Sequence, residues 1–258
     1  MWVSDRCYEL LGTRFRVQSQ DRDTAHEVDR LLQQFRVPGI AARGANTYSI
    51  VKDGDFRLLR DCSRRSSGSQ ASLLNNLVAD LNRQAVGSYS GFASHAGVVG
   101  HGDRTLAFIG DSGSGKSTLV AACLTIGFTY GSDEALCLDY QSSAVVPYPK
   151  PIALDARAFG LLAIPAPTRY EGSSEAPITA TDLDADLLGP GRKLTDLIIH
   201  IRQEGVSPVL EPIPASDGMA ALLSRSFNHY VAPAAAFRIS AEIASSAKSW
   251  SLAYDNPI

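Results

Sequence analysis

Long apolar runs are missing from this chain: nowhere in its 258 residues is there a stretch long and apolar enough to span a bilayer as a helix. Cationic excess is missing too. Lys and Arg number 24 against 27 Asp and Glu, a net charge of −3, whereas nucleic-acid and membrane-surface binders depend on clustered positive charge. The balance therefore argues against a general binder of either kind. Cysteine is sparse: Cys7, Cys62, Cys123 and Cys137 form no C-x-x-C pair, so neither disulfides nor a zinc site is expected. Cys123 and Cys137 lie in apolar runs, where a thiol packs as a small hydrophobe. Histidine is scarce as well, and His26, His101, His200 and His229 show no metal-ligand spacing. The opening residues Met1-Trp2-Val3-Ser4-Asp5-Arg6 lack the basic-then-apolar order of a secretory signal, which makes the cytoplasm the expected location.

What the chain does have is a hydrophobic content of 45%, enough for a substantial core in one large domain or two small ones. Residues 8–17 alternate as a strand with a bend at Leu11-Gly12-Thr13, and 24–35 show helical spacing at Val28, Leu31, Leu32 and Phe35 before the stop at Pro38-Gly39. Strands over 47–52 and 56–60 flank Asp53-Gly54, a hairpin dipeptide. Residues 62–72 read as a mobile polar loop, with Arg64-Arg65 a solvated pair, and Leu73, Leu74, Leu77, Leu81 and Val86 mark a second helix. A small α+β domain over 1–88 results. Beyond it the pattern changes to short strands at 96–99, 105–109, 128–130, 135–140 and 144–146, the first two joined tightly through Gly100-His101-Gly102-Asp103. Residues 165–191, with Asp182, Asp184 and Asp186, read as a long mobile loop. A strand follows at 194–202, and helices at 219–227 and 234–247 close the chain.

One stretch carries chemistry. Gly110-Asp111-Ser112-Gly113-Ser114-Gly115-Lys116-Ser117 fits the phosphate-loop pattern G-x-x-x-x-G-K-[ST], between the buried strand Leu106-Ala107-Phe108-Ile109 and a helix opening with Ser117 and Thr118. Glycines let backbone amides turn inward, the helix N-terminus adds partial positive charge, Lys116 would reach phosphate oxygens, and the Ser117 hydroxyl would hold Mg²⁺. Nucleotide binding is the reading, against a plain Gly/Ser turn that would not combine the strand, the lysine and the hydroxyl. The reaction needs further groups: a base for an acceptor hydroxyl and a carboxylate for the metal. Asp133-Glu134 stands at one strand end and Asp139 at another, and the residue pattern leaves both open. His95 opens the strand that turns back into the loop strand. If the two pair antiparallel, His95 returns to the end occupied by Gly110, although taken alone such a histidine is more often a packed or surface residue. Lys150, in Pro147-Tyr148-Pro149-Lys150-Pro151, reads as a solvated loop lysine, with a phosphate or acidic-substrate contact as the alternative.

Over residues 92–140, with a looser echo to 201, this arrangement resembles the HPr kinase/phosphorylase catalytic domain. His95 with Gly97, an apolar strand, a short turn, a second strand, the Gly110 to Ser117 loop and the Asp133-Glu134 pair keep that family's order, and Pro190-Gly191-Arg192 is similar to its later Pro-Gly-Arg signature. Glu134 stands where the family usually has a second Asp. The resemblance implies an α/β fold with a P-loop core of the HPr kinase/PEP carboxykinase type and a mixed sheet over 89–258, beside the N-terminal α+β domain. It implies ATP and Mg²⁺ as cofactors. By the same resemblance Asp133 takes the acceptor proton, Glu134 supports it or joins Ser117 at the metal, His95 lies beside them, and Arg192 is carried over weakly. The short members of this group accompany biosynthetic clusters and resemble kinases of peptide serines, so the expected partner is a serine of a peptide or protein, in a homo-oligomer if the family's hexamer holds. Rival readings are a small-molecule hydroxyl acceptor such as a sugar or amino acid, a nucleotide-dependent switch with slow ATPase activity, and a PEP-carboxykinase-like enzyme whose extra metal ligands are not recognisable.

Overall fold

The computed structural model describes residues 1–38 and 46–255; Gly39 of the expected helix stop lies outside them. In chain order the elements are β1 (Ser4–Leu10), β2 (Thr13–Ser19), α1 (Arg22–Leu32), β3 (Arg36–Val37), β4 (Asn46–Asp53), β5 (Asp55–Arg60), β6 (Ser63–Gly68) and α2 (Gln70–Gly87). They continue with β7 (Phe92–His101), β8 (Arg104–Ile109), α3 (Lys116–Thr125), β9 (Thr129–Ser132), β10 (Ala135–Leu138), β11 (Val145–Val146), β12 (Ile152–Leu154), α4 (Ala156–Leu162) and β13 (Ala176–Ile178). The last are β14 (Asp196–Arg202), β15 (Val209–Pro212), α5 (Ala215–Ser224), α6 (Pro233–Ser246) and β16 (Lys248–Tyr254). The fold is mixed α/β. Two compact units emerge: residues 1–89 with 153–159 and 164–178, and residues 90–152 with 160–163 and 179–258. The stretch 153–178, read from sequence as part of the second domain, thus contributes most of its length to the first unit.

In the first unit the sheet order is β3-β1-β2-β4-β5-β6, with β2 and β4 parallel and the other pairs antiparallel. Tyr8, Phe15, Tyr48, Leu58, Leu73 and Leu77 form its buried centre. Asp21 caps α1 by accepting the Thr24 N–H at 3.0 Å, and Ser69 caps α2 through Ser72 N–H at 3.2 Å. Residues 63–68 correct the loop reading. They pair with β5 as strand β6, while Arg64 and Arg65 stay exposed as expected, the Arg65 guanidinium also reaching the buried Asp80 at 3.2 Å. Polar strand residues suit an edge position that is only half covered.

The second unit is built on a mixed sheet in the order β11-β10-β7-β8-β14-β16-β15, with β9 also paired to β7. β7 and β8 are antiparallel, β8, β14 and β16 run parallel, and β15 returns antiparallel at the edge. Residues 248–254, which the sequence reading left unassigned after the closing helix, form the inner strand β16. Ala96, Val98, Ala107 and Ile109 on one face of the sheet share a core with Ala221 and Leu222 of α5 and Ile239 and Ile243 of α6. α3 approaches the other face, where Val120 packs against Gly97. Residues 180–183 make a short 3-10 turn rather than free loop. Asp182 closes it by accepting Thr179 N–H at 2.7 Å, which is a capping use for one member of the acidic triple.

Candidate active site

The Gly-rich stretch lies in the gap after β8, where parallel β14 ends alongside it. The register pairs Ile109 with Ile199, so His200 falls opposite Gly110. A Cβ on Gly110 would overlap the imidazole, with Nδ1 and Nε2 at 2.8 Å and Cε1 closer still, so only glycine fits above that ring. His200 in turn braces the loop. Its Nδ1–H donates to the Ile109 carbonyl at 3.1 Å and its Nε2 accepts from the Ser114 hydroxyl at 2.9 Å, which sets the neutral Nδ1–H tautomer. Burial, then the Lys116 charge, holds its pKa down at about 4. Gly115 ends the loop at φ 91°, a left-handed conformation that lets the chain enter α3 with the Lys116 and Ser117 amides at the helix mouth. Lys116 is folded onto the loop, donating to the carbonyls of Gly110 at 2.9 Å and Asp111 at 2.8 Å. Burial draws its ammonium below the usual lysine range, with the Arg225 charge pulling the same way.

Antiparallel β7 brings His95 back to this end, as the strand turn implied: Ala96 is paired with Ile109. β10 pairs with β7 so that Ala135 faces His95, which draws the preceding Asp133 and Glu134 to the same place. His95 Nδ1 is 3.0 Å from the Glu134 carbonyl oxygen and 3.6 Å from the Glu134 carboxylate. Burial first, then Lys116, lowers the His95 pKa against the opposing pull of Glu134 and Asp133. Asp133 is only 4% exposed and accepts the Ser117 hydroxyl at 3.0 Å on Oδ2. Its Oδ1 lies 2.9 Å from Lys150 Nζ and 3.1 Å from the Tyr130 hydroxyl. The Glu134 side chain is more open, 28% exposed, and Lys150 Nζ is 3.8 Å from its Oε2.

Glu134 and His95 face a surface cavity of about 420 Å³ whose other walls include Gly110, Asp111, Arg225 and Phe227. Lys116, Ser117, Asp133, Glu134 and His95 are therefore neighbours, and Ser112 also lines the cavity. Arg192 is not among them. Its guanidinium holds the β7–β8 turn, donating to Gly102 O at 2.6 Å, Arg104 O at 3.1 Å and Thr105 Oγ1 at 3.3 Å, at the other end of β8 from the loop. Asp139 also stands apart, its carboxylate accepting the amides of Gln141 and Ser142 in a local turn.

The sequence reading favoured a solvated Lys150, keeping a phosphate or acidic-substrate contact as its alternative, and missed His200 and Arg225. Lys150 is 6% exposed, not a solvated loop lysine, and the prolines on both sides offered the one signal, since they restrict the backbone that aims it. His200 is betrayed only by its place inside an apolar strand. Nothing local marks Arg225.

The donor set suits Mg²⁺, because a hydroxyl and a carboxylate beside a glycine-rich loop of the G-x-x-x-x-G-K-[ST] pattern are the hard oxygen ligands this ion takes. No grouping of three or more His, Cys, Asp or Glu side chains able to hold a metal alone occurs among the described residues. Nor is any helix among them long and apolar enough to cross a membrane. The chain matches no protein-family model, and none of the curated proteins searched is similar to it.

Proposed function

We propose that this chain is an ATP-dependent phosphotransferase with a P-loop core of the HPr kinase type, moving the γ-phosphoryl group to a hydroxyl, with a serine of a peptide or protein as the acceptor class. One observation carries the reading. The Ser117 hydroxyl, in the loop and helix setting that suits phosphates, is hydrogen-bonded to Asp133, whose neighbour Glu134 lines an open cavity with His95.

In this reading Ser117 and Asp133 would hold Mg²⁺. When bound, the ion neutralises charge on the β- and γ-phosphates. Lys116 exchanges its loop carbonyls for phosphate oxygens, and the α3 amides cradle the β-phosphate. The roles of the two acids change from those the resemblance implied. Asp133 is buried and committed to Ser117 and Lys150, whereas Glu134 faces the cavity, so Glu134 takes the acceptor proton and Asp133 serves the metal side. His95 donates Nδ1–H to the Glu134 carbonyl and fixes the backbone of the acidic pair. Most of the rate then comes from positioning and charge neutralisation.

The test is ADP release with and without serine peptides and small hydroxyl compounds, with mass spectrometry of the acceptor. Acceptor-dependent turnover that adds one phosphoryl group and is abolished by Glu134→Gln, with MgATP binding retained, is the expected result. ATP binding with no acceptor-dependent turnover would leave a nucleotide switch instead.

A further inference from the structure

Beside the loop sits a cation that no step above uses. Arg225 follows α5, and its carbonyl accepts the backbone N–H of His95 at 2.8 Å, which ties it to the strand residue nearest the acidic pair. The guanidinium lines the same cavity as Gly110, Asp111 and Glu134. Its Nη2 donates to Asp111 Oδ1 at 2.8 Å, and Asp111 is an 85% exposed side chain, so this partner holds it weakly. Nη1 has only the Ser224 hydroxyl at 3.2 Å, and Nε is buried with no hydrogen-bond partner among the described residues. A fork of donors with one buried and unused, restrained by one exposed carboxylate, is a poor resting arrangement and a good receptor for anionic oxygens. Its charge reaches the loop lysine as well, adding to the burial that lowers the Lys116 pKa.

We propose that Arg225 is a further catalytic residue, an arginine supplied from the same chain that leaves Asp111 to neutralise the phosphoryl group in transit. This rests on the phosphotransferase reading. As the acceptor oxygen bonds to the γ-phosphorus, the bond from that phosphorus to the β–γ bridging oxygen breaks, the electron pair stays on that oxygen as ADP leaves, and the acceptor proton passes to Glu134. Charge spreads over the equatorial oxygens during the exchange. Lys116 meets it from the loop and Arg225 from the end of α5, so the two cations flank the group where it is most dissociated.

The experiment is binding of MgADP to the full chain, measured by calorimetry with and without fluoroaluminate, which mimics the planar phosphoryl group. Wild type should bind MgADP and tighten by about 100-fold when fluoroaluminate is added. Arg225→Gln should bind MgADP within about threefold of wild type and lose the tightening, with Arg225→Lys recovering part of it and all three chains melting at similar temperatures. Tightening that persists in Arg225→Gln overturns the proposal and leaves the phosphotransferase reading intact. So does an equal loss of MgADP itself, which would mark a ground-state anchor. Wild type that binds MgADP but gains nothing from fluoroaluminate overturns the proposal too, and wild type that binds no MgADP removes both.

Discussion

Lys150 sets its ammonium 2.9 Å from the carboxylate of Asp133, and the two residues are 6% and 4% exposed. Buried charges persist in such a place only when paired and hydrogen-bonded, and Asp133 is further held by the Ser117 and Tyr130 hydroxyls. Removing one partner is costlier than removing both, because it strands the other charge. Lys150→Met should therefore lower unfolding free energy by about 3 to 5 kcal/mol. Lys150→Met combined with Asp133→Asn should lose clearly less, and chemical denaturation of both variants and of Asp133→Asn alone measures the difference. A double variant that loses as much as Lys150→Met and Asp133→Asn added together would mean that the pair is uncoupled.

The split of duties between the acids makes a second prediction. Asp133→Asn should raise the Mg²⁺ concentration needed for half-maximal turnover by about 10- to 100-fold, since it weakens the metal-side carboxylate while sparing the cavity. Glu134→Gln should cut acceptor-dependent turnover by about 10²- to 10⁴-fold with the Mg²⁺ requirement unchanged. Magnesium titrations of ADP release in both variants decide it. The opposite pattern would return the proton-accepting role to Asp133.

The contrast between these residues and Arg192 shows what the sequence could and could not carry. The loop, His95 and the acidic pair were legible because each is tied to a local pattern: a glycine spacing, a strand turn, a strand end. Antiparallel pairing of β7 and β8 then follows from the short turn, and it fixes where His95 must return. Arg192 belongs to a three-residue likeness without flanking support, and its side chain is spent on a turn. β16 is not legible because its short alternation follows directly on the helix end and carries no turn or hairpin signal of its own. His200 and Arg225 reach the loop, and Lys150 the acidic pair, through contacts between residues far apart in the chain, which periodicity does not report. The polar β6 failed for a related reason: its strand character comes from pairing with β5 and not from its own side chains.

A third prediction follows for Arg192 itself. Arg192→Ala removes donors from Gly102 O, Arg104 O and Thr105 Oγ1, so it should cost about 1 to 2 kcal/mol of stability. Turnover at saturating nucleotide, at a temperature where the variant is folded, should remain within about twofold of wild type, because the side chain braces only a turn at the far end of β8 from the loop. A large fall in turnover with stability intact would bring Arg192 back into the chemistry.

The last prediction concerns the ring beneath the loop. His200 has a folded-state pKa of about 4 against an ordinary value of 6.5, because burial and then Lys116 disfavour its charged form. Between those values the unfolded chain binds a proton that the folded chain refuses, so this contribution to stability is complete above about pH 6.5 and drains away as the pH falls towards 4. The full swing is on the order of 3 kcal/mol, and the lowered pKa of His95 acts in the same direction. His200→Gln should flatten that acid limb in urea midpoints measured from pH 7 to pH 4. The same ring explains why position 110 tolerates no side chain. Gly110→Ala should cost about 1 to 3 kcal/mol by forcing the imidazole aside. Paired with His200→Ala, however, the alanine at 110 should cost much less, because the space it needs is then empty. A cycle in which the two losses simply add would mean that the imidazole and the loop do not support one another.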